Sequence, residues 1–380
     1  MPKRAMQVPA LCFRARSAIP PPVMTKLSLP RSIAIVLPDL GGGGAQRVML
    51  TLADGFLRMG VAVTIVVVGG KDVLEPPPGV VVERLGAARL RSALPRLIRV
   101  LRRLDAEVII SVMGYLNMAL AAARPLLGRS RLVLREANRL SVTRDALPGP
   151  LAGLGYRLAY PRADLIVAPT QRIAAEIAAA APGARGRIVE VPNPVDVAGL
   201  RSRAARPERA AGPGLRIVGA GRLTKAKGFE RLIAAARGLP PDSQITIYGT
   251  GPEQSALQSQ IDDAGLSERV RLAGFSRDLP QAIAGADVFA LPSRVEGLPN
   301  VGLEALALGT KVIAWDSAEM DGVECAIGAV RLVRDVEGFT AALLAIAPDP
   351  VQAPRPALLG DIYHANSVVT RWAELLGRAE

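Results

Sequence analysis

Short aliphatic and β-branched runs alternate along this chain with stretches of helical spacing, and the alternation is played through twice. Ile33–Leu37 reads as a strand and Pro38–Gly44 as a glycine-rich turn. Ala45–Met59 reads as a helix carrying Val48, Leu50, Leu52, Phe56 and Leu57, closed by Gly60. Val61–Val68 follows as a second strand. Strands with no polar alternation are covered on both faces, as in parallel sheets joined by helical crossovers. Further such runs lie at Glu107–Val112, Arg131–Arg135, Asp164–Ala168 and Arg187–Val191, with helical stretches at Asn117–Ala123 and Gln171–Ala180. Pro192, Pro194 and the charged run RSRAARPERAAGPG from Arg201 then read as a linker. The pattern restarts with strands at Leu215–Ala220, Gln244–Tyr248, Val270–Ala273, Asp287–Leu291 and Lys311–Trp315. Helices are expected at Gly228–Arg237, Pro252–Ala264, Leu279–Ala286 and from near Pro299. The fold class is therefore α/β: two tandem doubly wound domains, residues 31–197 and 198–362, facing a cleft. A closing helix, Ser367–Leu376 within residues 365–378, is expected to return to the first domain through Trp372 and Leu375. Ligands in such sheets sit at the carboxyl ends of the strands, so both domains should offer loops to the cleft.

Charge separates the segments. The chain has 380 residues and a net charge of +13, yet residues 201–380 are nearly neutral and the excess lies in residues 1–200. Residues 1–30 carry five Lys/Arg and no acid. Their Pro triplet argues against an amphipathic targeting helix, and a disordered basic tail, or a start at Met24, is the better reading. Two cysteines cannot form a disulfide framework. The longest uncharged run, Val108–Ala123, has 16 residues, against the roughly 20 apolar ones of a spanning helix, so a soluble protein is expected. The basic charge suggests nucleic acid, but 13 aromatic residues give little stacking surface and no recognition module is visible.

Chemistry concentrates in Ser293-Arg-Val-Glu-Gly-Leu-Pro-Asn-Val-Gly-Leu-Glu304. Glu296 falls on a loop before a helix N-terminus and Glu304 inside the helix's first turns. Gly297 permits an unusual backbone there, and Gly302 lets a ligand approach the helix amino end. Two carboxylates flanking a helix N-terminus suit a ligand with several hydroxyls and a phosphate. In Gly219-Ala-Gly-Arg-Leu-Thr-Lys-Ala-Lys-Gly-Phe229, Arg222 and Lys227 stand between a strand end and a helix start, where two cations can neutralise a diphosphate leaving group.

The stretch SRVEGLPNVGLEALALGTKVIAWD is similar to the signature of retaining glycosyltransferases of family 4, which have the GT-B fold of two Rossmann-like domains. The blocks at Gly219–Phe229, Ile247–Glu253, Leu272–Phe275 and Gly285–Ser293 agree, as does Gly41–Gly44 with Ala-Gln-Arg47. The resemblance covers roughly residues 31–378 and implies catalytic roles for Glu296, Arg222 and Lys227. It implies donor contacts by Glu304, Gly43, Gly44, Gly274, Phe275, Gly297, Leu298, Asn300 and Val301. Many relatives place a histidine in the N-terminal cleft; here the single one, His364, lies far along the chain and reads as a surface or packing residue. The matching segment is Arg135-Glu-Ala-Asn138, whose Glu136 and Asn138 are assigned to sugar or acceptor contacts at a strand end facing the cleft.

No DxD or His/Cys cluster with ligand spacing is visible, so no metal site is expected, and no cofactor beyond a UDP-linked nucleotide sugar. The implied reaction moves a hexose or N-acetylhexosamine to a lipid-linked or surface-polysaccharide acceptor. A nucleotide-sugar epimerase, an inert scaffold and, last, a nucleic-acid binder are the rival readings. Arg84–Leu104 adds seven arginines, with Leu97, Ile98, Leu101 and Leu104 at helical spacing after Pro95 and Arg96, Arg99, Arg102 and Arg103 on the remaining arc. An ordinary surface helix explains it nearly as well. The functional expectation is an anionic membrane surface as partner and a peripheral location at the inner face of the cytoplasmic membrane.

Overall fold

The computed structural model describes residues 27–70, 72–140, 149–204, 214–349 and 354–379. In chain order the first domain comprises β1 (Leu27–Ser28), β2 (Ser32–Leu37), α1 (Gly44–Arg58), β3 (Ala62–Val67), β4 (Val81–Arg84), α2 (Leu90–Leu104), β5 (Val108–Val112) and α3 (Gly114–Ala122). It continues through β6 (Arg131–Arg135), α4 (Gly149–Ala159), β7 (Leu165–Ala168), α5 (Gln171–Ala180) and β8 (Ile188–Glu190). After α6 (Val197–Arg203) come β9 (Arg216–Ala220), α7 (Phe229–Ala236), β10 (Gln244–Tyr248), α8 (Gln254–Asp263), β11 (Val270–Gly274), α9 (Leu279–Gly285) and β12 (Val288–Leu291). The chain closes with α10 (Asn300–Ala307), β13 (Lys311–Trp315), β14 (Val330–Val333), α11 (Val336–Leu344), α12 (Ala365–Leu376) and β15 (Arg378–Ala379).

The first sheet is parallel with order β4-β3-β2-β5-β6-β7-β8, and the second is parallel with order β11-β10-β9-β12-β13-β14. Each therefore has the doubly wound order, and its strand order reverses between β2 and β5 or between β9 and β12. Those two switch points are where such sheets open a crevice at their carboxyl ends. Central strands are sealed on both faces, as β2 and β5 show with Ile33 to Leu37 and Val108 to Val112 buried, which is why they read as unbroken apolar runs.

Several expectations are corrected. Strands β4 and β14 were not expected, nor were helices α4 and α11. Both strands are edges with exposed residues, so they lack the continuous apolar signature. The expected linker begins as helix α6, capped by Asp196, whose carboxylate accepts from Gly199 N at 2.9 Å; residues 205–213 lie outside the described residues. Residues 1–26 of the expected tail also lie outside them. However, Leu27–Ser28 pairs antiparallel with Arg378–Ala379. Helix α2 starts at Leu90 and runs through Pro95. A proline forfeits one intrahelical hydrogen bond, and here Ala93, Leu97, Val100 and Leu101 still anchor the helix in the core.

Helix α12 packs on α1 of the first domain, burying Val368, Val369, Trp372 and Leu376. The contact is close because Gly55 of α1 has no side chain: a Cβ there would lie 2.4 Å from Val369 Cγ2. The chain thus crosses between domains twice, side by side, with Val195 N donating to Tyr363 O at 2.8 Å and Ala365 N to Val195 O at 2.9 Å.

Candidate active site

Glycines bring the second-domain loops together. A Cβ on Gly249 would sit 1.9 Å from Gly221 O, and one on Gly251 would sit 2.3 Å from Leu223 O, so neither position tolerates a larger residue without backbone movement. Gly228 takes a left-handed φ of 64° and nests under Pro292 O, where Arg294 N donates to Ala226 O at 2.8 Å. The loop after β9 is thereby tied to the loop after β12. Lys227 Nζ reaches Glu296 Oε1 at 2.5 Å, and Ser293 Oγ donates to the same oxygen at 2.7 Å. Arg222 stands exposed on the same loop.

Glu304 lies one turn into α10 and is largely enclosed. Burial pushes its carboxyl above the usual range, with Arg47 of α1 and then Arg203 drawing it back. Gly274 has a φ of 69° and carries an exposed Phe275. Gly297 and Leu298 are buried, and Asn300 and Val301 half-buried.

From the first domain, Gly43 and Gly44 are exposed at the start of α1, where no side-chain hydrogen bond caps the helix among the described residues. Asp39 holds the preceding turn, accepting from Gly41 N at 2.7 Å and Gln46 Nε2 at 2.8 Å. Asn300, first residue of α10, donates through Nδ2 to the carbonyl of Gly44, first residue of α1, at 3.0 Å. Two helix amino ends thus meet across the domain boundary. Both carry the positive end of a helix dipole, and an anion between them would relieve their repulsion.

The segment after β6 divides. Asn138 is exposed beside the motif: a Cβ on Gly297 would lie 2.2 Å from Ala137 O and 3.1 Å from Asn138 Cα. Glu136, expected to face the cleft, is 1% exposed and turns into the domain instead. It accepts from the Tyr160 hydroxyl and, at 3.1 Å, from Asn117 Nδ2. Burial raises its carboxyl to about 7 despite those bonds and the neighbouring Arg135. As placed, it has no surface to offer a sugar. His364 stands at the residue before α12, at the interdomain crossing, with Nε2 3.6 Å from Asp361 and no side-chain bond to the helix end.

Sequence reasoning missed Met113, whose φ of 81° puts a non-glycine residue in strained backbone at the β5 switch point. It also missed Asn193, buried between the domains, and Glu319. The carboxylate of Glu319 accepts from Arg172 Nη1 at 2.9 Å across the boundary, beside a cavity of about 730 Å³ lined by Arg139, Asp316, Ser317, Arg331 and Arg334 among others. No cluster of three or more His, Cys, Asp or Glu able to hold a metal occurs among the described residues.

Residues 42–198 match the model of glycosyltransferase family 4, and residues 214–349 that of the group 1 glycosyl transferases. The chain carries a family 4 glycosyltransferase domain followed by a group 1 glycosyl transferase domain. Over 255 residues the chain is 30% identical to the 2-deoxystreptamine glucosyltransferase of Streptomyces kanamyceticus, covering 61% of this chain and 65% of that one. It is 36% identical over 138 residues to the lipopolysaccharide core biosynthesis glycosyltransferase LpsE of Rhizobium meliloti, covering 35% and 39%. Against both it spans less than two thirds of the relative's length. It is 26% identical over 301 residues to the N-acetylgalactosamine-N,N'-diacetylbacillosaminyl-diphospho-undecaprenol 4-alpha-N-acetylgalactosaminyltransferase of Campylobacter jejuni, covering 75% and 81%. Among solved structures, Anabaena Alr3699/HepE in complex with UDP and glucose superposes with a TM-score of 0.74 at 20% identity, over 91% of this chain and 99% of that one. The shared architecture is GT-B.

Proposed function

We propose that the protein transfers a hexosyl or N-acetylhexosaminyl group from a UDP-linked sugar to a lipid-linked or surface-polysaccharide acceptor, with retention of configuration and without a divalent metal. The observation that carries this reading is the meeting of two helix amino ends at Asn300 and Gly44, with Glu296, bonded to Lys227, on the loop leading into α10. Helix termini and cations aimed at one point stabilise a departing diphosphate without reorganisation. In this reading Glu296 accepts from sugar hydroxyls and Glu304 from the ribose. The bond from the anomeric carbon to the diphosphate oxygen breaks as the acceptor oxygen bonds the same face. The acceptor's proton passes to the departing diphosphate oxygen. The 730 Å³ cavity beside Ser317 gives an acceptor room.

The names of the relatives support a lipid-linked or lipopolysaccharide acceptor. No helix among the described residues is long and apolar enough to cross a membrane. Helix α2 commits its apolar stripe to the core, and Arg103 pairs with Glu83 while Arg96 donates to Leu85 O. Arg91, Arg99 and Arg102 remain exposed. At about 1 kcal/mol per juxtamembrane cation, the proposed attachment at the inner face of the cytoplasmic membrane is electrostatic and reversible.

Mass spectrometry of products from a panel of nucleotide sugars and polyprenyl-diphosphate saccharides, with and without EDTA, tests the reaction. Product formed from a UDP-sugar in both conditions is expected; none from any donor would refute the reading. Co-sedimentation with anionic liposomes should fall with salt and on changing Arg91, Arg99 and Arg102 to Gln. Salt-insensitive binding would remove the membrane claim alone.

A further inference from the structure

Asn193 lies where the chain leaves the first domain, 5% exposed, and its amide is used on both sides. Its Oδ1 accepts from Arg135 Nη2 at 2.5 Å. Its Nδ2 donates to Leu298 O at 3.0 Å and to Asn300 Oδ1 at 2.6 Å. Asn300 in turn donates through Nδ2 to Gly44 O at 3.0 Å. The amide orientations are mutually dictated. Arg135 can only donate and the carbonyls of Leu298 and Gly44 can only accept, so each asparagine has one allowed orientation. The relay runs from a buried arginine at the end of β6, through the interdomain crossing, to the first residues of α10 and α1. Along it the domains approach as closely as glycine allows: a Cβ on Gly44 would lie 2.8 Å from Asn300 Nδ2.

We infer that Asn193 is a positioning residue that latches the two domains together and so places the Asn300 and Gly44 helix ends around the donor's phosphates. The part concerning the donor rests on the proposed function; the latch does not. Neither helix end has a reason to face the other on its own, since their dipoles repel. The relay supplies an attraction independent of ligand, holding the cleft assembled before the anion arrives, which is preorganisation in the sense that raises affinity without new contacts.

Asn193→Asp is nearly isosteric and keeps the bond from Arg135, but it removes both donated bonds. Asn300 must then either keep Oδ1 against a carboxylate or flip and turn Oδ1 toward Gly44 O; both break the latch. Small-angle scattering of the ligand-free full chain should show a larger radius of gyration for Asn193→Asp than for wild type. Titration with UDP should show affinity weakened by about tenfold or more, as expected for losing two buried hydrogen bonds. Asn300→Asp, less buried, should reproduce both effects, and the double variant should add little because the residues act in one relay. Unchanged scattering in both single variants would overturn the latch. Effects that add fully in the double variant would overturn the relay. If wild type binds no UDP, the proposed function fails while scattering still decides the latch.

Discussion

Glu136→Gln isolates a carboxyl that burial raises to about 7. The glutamine keeps an acceptor for Tyr160 and Asn117 but no longer titrates. In the wild-type fold the protonated acid is favoured relative to the unfolded chain, where the carboxyl sits near 4.5. Its stabilisation is thus complete below about pH 4.5 and is lost as pH rises through about 7. Between pH 5 and 8 the loss comes to about 2–3 kcal/mol, at about 1.4 kcal/mol for each tenfold change in proton affinity. With a urea slope of about 1–3 kcal/mol per molar, the midpoint should move by about 1–3 M. Each domain has one tryptophan, Trp315 in β13 and Trp372 in α12. In a Trp315→Phe background, Trp372 fluorescence therefore follows the first domain alone. The wild-type midpoint should fall between pH 5 and 8, and the Glu136→Gln midpoint should lack that component. Equal slopes for the two proteins would refute the assignment of an acid titrating near neutrality to this site.

Glu296→Gln should lower turnover by more than tenfold while UDP affinity, measured by calorimetry, changes little; Glu304→Gln should weaken UDP binding instead. Wild-type rates and affinities in both would mean the motif is not the reacting site. Gly251→Ala places a methyl 2.3 Å from Leu223 O, backbone that cannot step aside. It should cost about 1–3 kcal/mol, seen as a melting temperature lowered by several degrees; a shift under one degree would contradict the loop packing.

The central strands were legible because parallel sheets bury both faces, so Ile33–Leu37 and Val108–Val112 appear as uninterrupted apolar text. Edge strands such as Val81–Arg84 keep water on part of their surface, and their short mixed sequence resembles a loop. The Glu296 and Lys227 loops were legible as motifs, but Gly297, expected to permit an unusual backbone, keeps an ordinary φ and serves instead to let Ala137 O come within 2.2 Å of where a Cβ would stand. Glu136 was misplaced because, at the end of a strand, side-chain direction is set by the partners available. Tyr160 and Asn117, 24 and 19 residues away, drew it inward. Asn193 was hidden by its prolines: Val-Pro-Asn-Pro announces a turn, and a lone amide carries no periodicity to suggest a buried relay.

Helix α12 completes the first domain's core with residues that lie beyond the whole second domain in sequence. During synthesis the first sheet must wait, its α1 face and Gly55 groove uncovered, until Val369 and Trp372 emerge. The second sheet, whose chain is continuous from β9 to α11, can close first. The order of folding should therefore invert the order of translation, with the C-terminal domain settling before the N-terminal one is sealed. Release of the last helix would then unseal the domain that was made first.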